Sequence, residues 1–257
     1  MAPAPTPMTT VLLIRHGESE ANVREDTHIA GRSPAAALTP KGLRQAAAIG
    51  PMLRARYGPS LSRVTAVYAS PAVRAADTAK AALAAAGAAA AHPVTLSEEL
   101  LEIDQGEWED ALRAEVLTPV VRAAEQRDPG HHHAPGGESA AMVEERAAGF
   151  LFRQVIPDTI ATVAAAAVAA GVNGVGAKAD GAAASAPLRA DGLGGVVLVF
   201  THGFVIKTLV RRVLGGGWDS VGRTHVSNGG AVEVGVTADG SLILLRCNDD
   251  AHVREVV

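Results

Sequence analysis

The chain has 257 residues, 48% of them hydrophobic but only 3% aromatic, so a sizeable core is possible and must be aliphatic and alanine-rich. Lysine and arginine number 23 against 27 aspartates and glutamates, a net charge of −4 that gives no electrostatic ground for nucleic acid or an anionic membrane as partner. An anionic substrate would therefore need a local positive field. Cys247 is the single cysteine, which excludes an intrachain disulfide and fits a reducing compartment. The opening MAPAPTPMTT lacks the basic and apolar regions of a secretory signal and the arginine-rich character of a transit peptide, so the expectation is a soluble, cytoplasmic protein.

In chain order, Val11–Ile14 is a continuous apolar run, as in a strand buried on both faces. Leu38–Gly58 reads as a helix with Thr39 as cap, Pro40 in the first turn and a stripe of Leu43, Ala46, Ala47 and Leu53. Gly50–Pro51 is expected to kink or break it. Val64–Ala69 and Val94–Leu96 are strands flanking a helix at Ala72–Ala86. Glu138–Val155 has helical periodicity and is expected to run to about Ala170. Val196–Thr201 is a fourth strand, and Gly203–Leu214 an amphipathic helix with Val205, Ile206, Leu209, Val210 and Val213 on one side, stopped by Gly215–Gly217. Ala231–Val236 and Leu242–Arg246 make a hairpin through Ala238–Asp239–Gly240. Strands alternating with helices imply an α/β layered fold with a mainly parallel sheet and an antiparallel edge.

Residues 1–9 read as a flexible tail and 170–195, mixed from Gly, Ala, Ser, Asn and Asp, as a mobile insertion loop. Ala81–Ala91 is a second, alanine-rich insertion. Neither suggests a second domain, so 1–257 is expected to be one. Thr159–Ala177 comes nearest to a membrane span, but its apolar content is alanine, glycine and valine with Asn173 inside. Nothing fixes the oligomeric state.

The chemistry-bearing residues gather at strand ends, where open α/β sheets bind ligands. Arg15–His16–Gly17 ends the first strand and His202–Gly203 the fourth, a repeated device of apolar strand, histidine, glycine and turn. In ASPAVRAADTA, Arg74 lies one helical turn past Ser70 and points back to the second strand end. Each alone is an ordinary basic residue at a junction; the repetition argues otherwise. In LLEIDQGEWED, Glu102 directly follows Leu100–Leu101 and is the carboxyl best placed in a partly apolar pocket, while Glu107, Glu109 and Asp110 read as a solvated acidic turn.

These stretches, with LTPKGLRQA, PGGES, THG and NGGAVEV in that order, resemble the histidine phosphatase superfamily in its phosphoglycerate mutase-like branch. The resemblance implies a three-layer αβα sandwich. It also implies a metal-independent phosphatase without cofactor, acting on a small phosphorylated metabolite. His16 would be the nucleophile, becoming a phosphohistidine; Arg15, Arg74 and His202 would hold the equatorial phosphoryl oxygens. Glu102 would protonate the leaving oxygen and then deprotonate water. Asn22, Ala30 and Gly31 resemble phosphate- or substrate-contacting positions, with Gly203 beside them. Asp110 stands where the family has glycine. His131–His133 are adjacent residues in a turn and cannot all converge on one metal ion. The remaining histidines, His225 among them, carry no motif.

Three readings compete. A hydrolase is favoured over a bisphosphoglycerate-dependent phosphoglycerate mutase, because ALRAEVLTPVVRAAEQRDPG has isolated Arg113, Arg122 and Arg127 and no arginine pair. A regulatory module that has lost catalysis would lack one of the five core residues, and all five are present.

Overall fold

The computed structural model of the protein describes residues 9–157, 195–237, 240–254 and 256. Six strands, β1 (Thr9–Arg15), β2 (Val64–Ala69), β3 (Val94–Leu96), β4 (Val196–Thr201), β5 (Ala231–Val236) and β6 (Leu242–Asp249), form one sheet in the order β3-β2-β4-β1-β5-β6. The pairs β3–β2, β2–β4 and β4–β1 are parallel, while β5 and β6 add an antiparallel edge. Successive side chains on a strand point to opposite faces. Val11, Leu13, Val197 and Val199 accordingly enter one core and Leu12, Ile14, Leu198 and Phe200 the other. This explains why β1 and β4 read as continuous apolar runs. Each of these buried side chains contributes about 1.5–3 kcal/mol of burial.

Helices α2 (Pro40–Tyr57) and α3 (Val73–Ala85) cover the second face, α1 being the short turn Glu20–Val23. Two short helices, α4 (Arg113–Val116) and α5 (Pro119–Arg127), follow β3. The first face is covered by α6 (Ala140–Phe150) and α7 (Gly203–Leu214). The result is the three-layer αβα arrangement expected from the sequence. A partly buried ion pair fastens α6 to α7, with Arg211 donating to both oxygens of the buried Glu144 at 2.6 and 2.7 Å.

Local signals place most boundaries. Thr39 accepts from the Gly42 amide at 3.0 Å and Pro40 opens α2; Gly215 ends α7 in the left-handed conformation, φ 62°. Four expectations need correction. Helix α2 runs through Gly50–Pro51 unbroken, because tertiary packing outweighs the one hydrogen bond that proline removes. Gly50 lies so close to α3 that a Cβ there would come within 2.7 Å of the Ala85 carbonyl carbon. The buried face of α2 is Gly42, Gln45, Ala46, Ile49, Leu53 and Tyr57, which turns Leu43, 51% exposed, and Ala47 to solvent. The helix expected from Glu138 begins at Ala140 behind Ser139, whose hydroxyl accepts from the Met142 amide, and passes into a π-helical turn at Leu151–Val155. Finally, β6 continues beyond Arg246 to Asp249.

The β5–β6 antiparallel pairing is as expected, while Ala238 and Asp239 of the expected turn lie outside the described residues. The tail 1–8, most of the 170–195 insertion and the Thr159–Ala177 stretch lie outside the described residues. Among those described, no helix is long and apolar enough to cross a membrane.

Candidate active site

Parallel pairing of β1 with β4 sets Arg15 opposite Thr201, so both strands end at the same sheet edge. The next residue of each is a histidine, and the His16 and His202 rings meet edge to face with centroids 5.1 Å apart. Strand β2, on the other side of β4, is followed directly by Ser70, whose hydroxyl is 2.8 Å from His202 Nε2. In the first turn of α3, Arg74 reaches back to the same point, its Nε donating to His16 Nε2 at 3.2 Å. Three distant stretches thus converge through sheet register alone.

His16 is 3% exposed. Its Nδ1 lies 2.6 Å from the Gly17 carbonyl, which can only accept. The ring therefore carries its proton on Nδ1 and its lone pair on Nε2, facing Arg74. Burial first, then Arg74 and Arg15, push the imidazole well below the ordinary histidine value, and the Gly17 bond offsets this only in part. His16 is neutral at pH 7, with one nucleophilic nitrogen. Gly17 is required here because a Cβ would overlap the Gly42 carbonyl, and its amide donates to Thr78 Oγ1 at 3.0 Å. Behind the strand end, the Gly229 amide and Asn228 Nδ2 both donate to the His16 carbonyl.

Arg15 spends one donor on the Val226 carbonyl at 2.7 Å, and its buried Nε has no partner among the described residues. Most of its five donors are open to a ligand. Gly203 permits this, since a Cβ there would sit 3.1 Å from that Nε. Arg74 is more committed: besides His16 it donates to the carbonyls of Gly31, Arg32 and Ser33. It thereby locks the 31–33 loop to the floor. His202 is fully buried and neutral, held well below the usual histidine range by burial and by Arg74. Its Nδ1 is buried and has no partner among the described residues.

Glu102 is half-buried in the loop after a 3₁₀ turn at Glu98–Leu100. Two amides fix its carboxylate, Ile103 on Oε1 at 2.9 Å and Phe204 on Oε2 at 3.2 Å. Glu109 does not belong to a solvated turn: its Oε1 accepts from the Arg32 and Gln105 amides and would collide with any Cβ at Gly31. Asp110 takes up φ 60°, the left-handed region that explains glycine in the resembled pattern, and pairs with Arg24 at 2.8 Å.

A cleft of about 270 Å³ opens over this floor. Arg15, His16, Asn22, Ala30, Gly31, Arg74, Glu102 and Gly203 all line it; His202 stands behind, against His16. Asn22 also has a structural task, its Oδ1 accepting from Ser19 and from Asn228. Residues not singled out from sequence line it too: Glu25, Phe204, Lys207, His225 and Val226. Lys207 leaves a trace in the sequence, as the one charged residue in the first two turns of α7, one helical turn after Gly203. The others become neighbours only through folding.

The model of the histidine phosphatase superfamily (branch 1) matches residues 11–164 and 171–250. The chain belongs to this superfamily. Against curated protein sequences it finds no match. Among solved structures it resembles Bacillus stearothermophilus YhfR (25% identity, TM-score 0.66, covering 96% of this chain and 100% of that one). It also resembles phosphoserine phosphatase from Entamoeba histolytica, solved with 3-phosphoglyceric acid (22% identity, TM-score 0.66, 95% and 99% covered). A third is mycobacterial glucosyl-3-phosphoglycerate phosphatase (19% identity, TM-score 0.65, 94% and 99% covered). The superfamily and the last two of these neighbours are named as phosphatases.

His131–His133 face separate partners. His131 Nδ1 is 2.9 Å from Asp128 Oδ1, His133 Nδ1 is 2.8 Å from the Ala134 carbonyl, and the His132 ring lies 6.0 Å from Trp108. His132 and His133 border a smaller cavity that shares Phe204 with the cleft.

Proposed function

We propose that the protein is a metal-independent phosphomonoesterase that hydrolyses a small phosphorylated metabolite through a phosphohistidine on His16. The observation that carries this reading is the state of His16: neutral, tautomer fixed by Gly17, lone pair on Nε2 beside two arginines. A phosphoryl group seated against Arg15 and Arg74 presents phosphorus to that nitrogen. As the leaving oxygen departs, Glu102 gives it a proton, and the phosphorus–oxygen bond is replaced by a phosphorus–nitrogen bond. Water then attacks the phosphohistidine, returns a proton to Glu102 and releases phosphate, restoring both groups. If the Ser70 hydroxyl donates to His202 Nε2, the orphaned Nδ1 carries a hydrogen for an equatorial oxygen. Asn22, Ala30, Gly31 and Gly203 border the rest of the substrate.

Hydrolysis is favoured over mutase chemistry because a mutase must shield its phosphohistidine from water. No residue between 112 and 134 lines the cleft, so Arg113, Arg122 and Arg127 contribute nothing there. The test is turnover of p-nitrophenyl phosphate with EDTA present, alongside 3-phosphoglycerate with and without a bisphosphoglycerate primer. Phosphate release insensitive to EDTA and abolished in His16→Ala is expected. Primer-dependent formation of 2-phosphoglycerate, or no turnover of any phosphomonoester, would overturn the reading.

A further inference from the structure

We propose that Lys207 makes a second anion-binding position in this cleft, so that the preferred substrate is a phosphomonoester whose leaving group carries another anionic group, a carboxylate or a second phosphate. This rests on the phosphatase reading and narrows its substrate class. Gly203 and Lys207 are four residues apart on α7 and share one helix face, roughly 6 Å apart along the axis. Gly203 packs against the Arg15 guanidinium, so Lys207 stands about one helical turn beyond the phosphoryl position. Its neighbours Val205, Ile206, Leu209 and Val210 are buried in the core, while Lys207 alone of this turn carries charge into the cleft.

Of the other charged groups lining the cleft, the two carboxylates and Arg74 are already engaged, and Arg15 faces the phosphoryl position. Glu25 accepts from Asn22 Nδ2 at 3.1 Å and Glu102 from two backbone amides. Arg74 holds three carbonyls and His16, and Arg15 holds Val226. The half-buried Lys207 ammonium has no hydrogen bond or ion pair among the described residues. Burial and then Arg15 push it below the usual lysine range, and the pull of Glu102 and Glu25 does not make good the difference. A half-buried cation beside another cation, with carboxylates near it but none in direct contact, is completed by an anionic ligand that pairs with it.

Two compounds that differ in one group provide the test. 3-Phosphoglycerate carries a carboxylate where glycerol 3-phosphate has a hydroxymethyl, on the same phosphomonoester. The wild-type protein is expected to favour 3-phosphoglycerate in kcat/KM by about tenfold or more, the effect of one charge-assisted contact. Lys207→Met is expected to remove most of that ratio, chiefly through KM, and Lys207→Arg to restore it. A wild-type ratio of one or less, or a Lys207→Met variant that keeps the wild-type ratio, overturns the inference while leaving the phosphatase reading standing. The wild-type ratio decides the matter even if a variant fails to fold. Absence of turnover on both compounds and on p-nitrophenyl phosphate would instead bring down the phosphatase reading, and this inference with it.

Discussion

The floor of the cleft and the 112–134 segment beyond it are built on opposite terms. At the floor, His16 and Arg74 are each 3% exposed, His202 and Ser70 are fully buried, and both nitrogens of His16 and every nitrogen of the Arg74 guanidinium have partners. In the 112–134 segment, α4 and α5 bury no residue at all, and Val120 is 78% exposed. The segment is held at a few points, such as His131 against Trp218, on which the Arg211 guanidinium stacks at 3.9 Å, and Gly130, where a Cβ would strike the Trp218 ring. A reacting group must be fixed to within fractions of an ångström, which dense packing and saturated hydrogen bonding provide. A segment that makes few buried contacts can change its sequence without disturbing that geometry.

If the floor is as over-determined as this, changes there should be severe. His16→Ala should lower kcat by about a thousandfold or more, since no other side chain at the floor presents a free nucleophilic nitrogen in its place. Steady-state hydrolysis of p-nitrophenyl phosphate measures it; residual activity within tenfold of wild type would break the comparison. Gly31→Ala should cost about tenfold to a hundredfold in kcat/KM, because the new methyl strikes Glu109 and displaces the loop that Arg74 clamps. Unchanged kinetics with an unchanged melting temperature would show that this clamp is dispensable.

Protonation sharpens the same contrast. His16 and His202 have folded-state values depressed below the unfolded value of about 6.5. Below that pH the unfolded chain takes up protons that the folded floor refuses, so the stability present at neutral pH is lost as pH falls. Each ring can contribute at most about 1.4 kcal/mol per pH unit. Denaturation midpoints between pH 7 and 5 should therefore decline, and His202→Gln should reduce the slope by about one proton. For the same reason the acid limb of kcat/KM attributable to His16 should lie below pH 6.5. At the other extreme, Val120→Ser should shift stability by no more than about 0.5 kcal/mol, as read from chemical denaturation. A larger loss would mean that this segment is more tightly built than its exposure implies.

The same division decides what could be read from sequence. Strands β2, β3, β4 and β5 and helix α7 were legible to the residue: β4 by the continuous apolar run that burial on both faces leaves, β2, β3 and β5 by short β-branched runs bounded by turn residues, and α7 by its apolar stripe. The convergence of Arg15, His16, Arg74 and His202 was legible for a related reason: residues just past parallel strand ends meet wherever those strands neighbour one another. What local signals could not show were long-range effects. Pro51 sits inside a continuous helix because α3 packs against Gly50, and Glu109 serves the loop at 31–33, some 77 positions away in the chain. The face of α2 was misread because Leu43 and Ala47 are apolar by type but lie on the outer side of the helix. Lys207 and His225 reach the cleft only through the placement of α7 and of the turn before β5.

The central claim is that a neutral imidazole at the end of β1 takes up the phosphoryl group. Rapid quenching during turnover of a ³²P-labelled phosphomonoester, followed by peptide mapping, tests it directly. The expected result is an acid-labile, alkali-stable label on the peptide containing His16, formed and discharged at rates compatible with turnover and absent from His16→Ala. Label on any other residue, or sustained turnover with none on the protein, would contradict it.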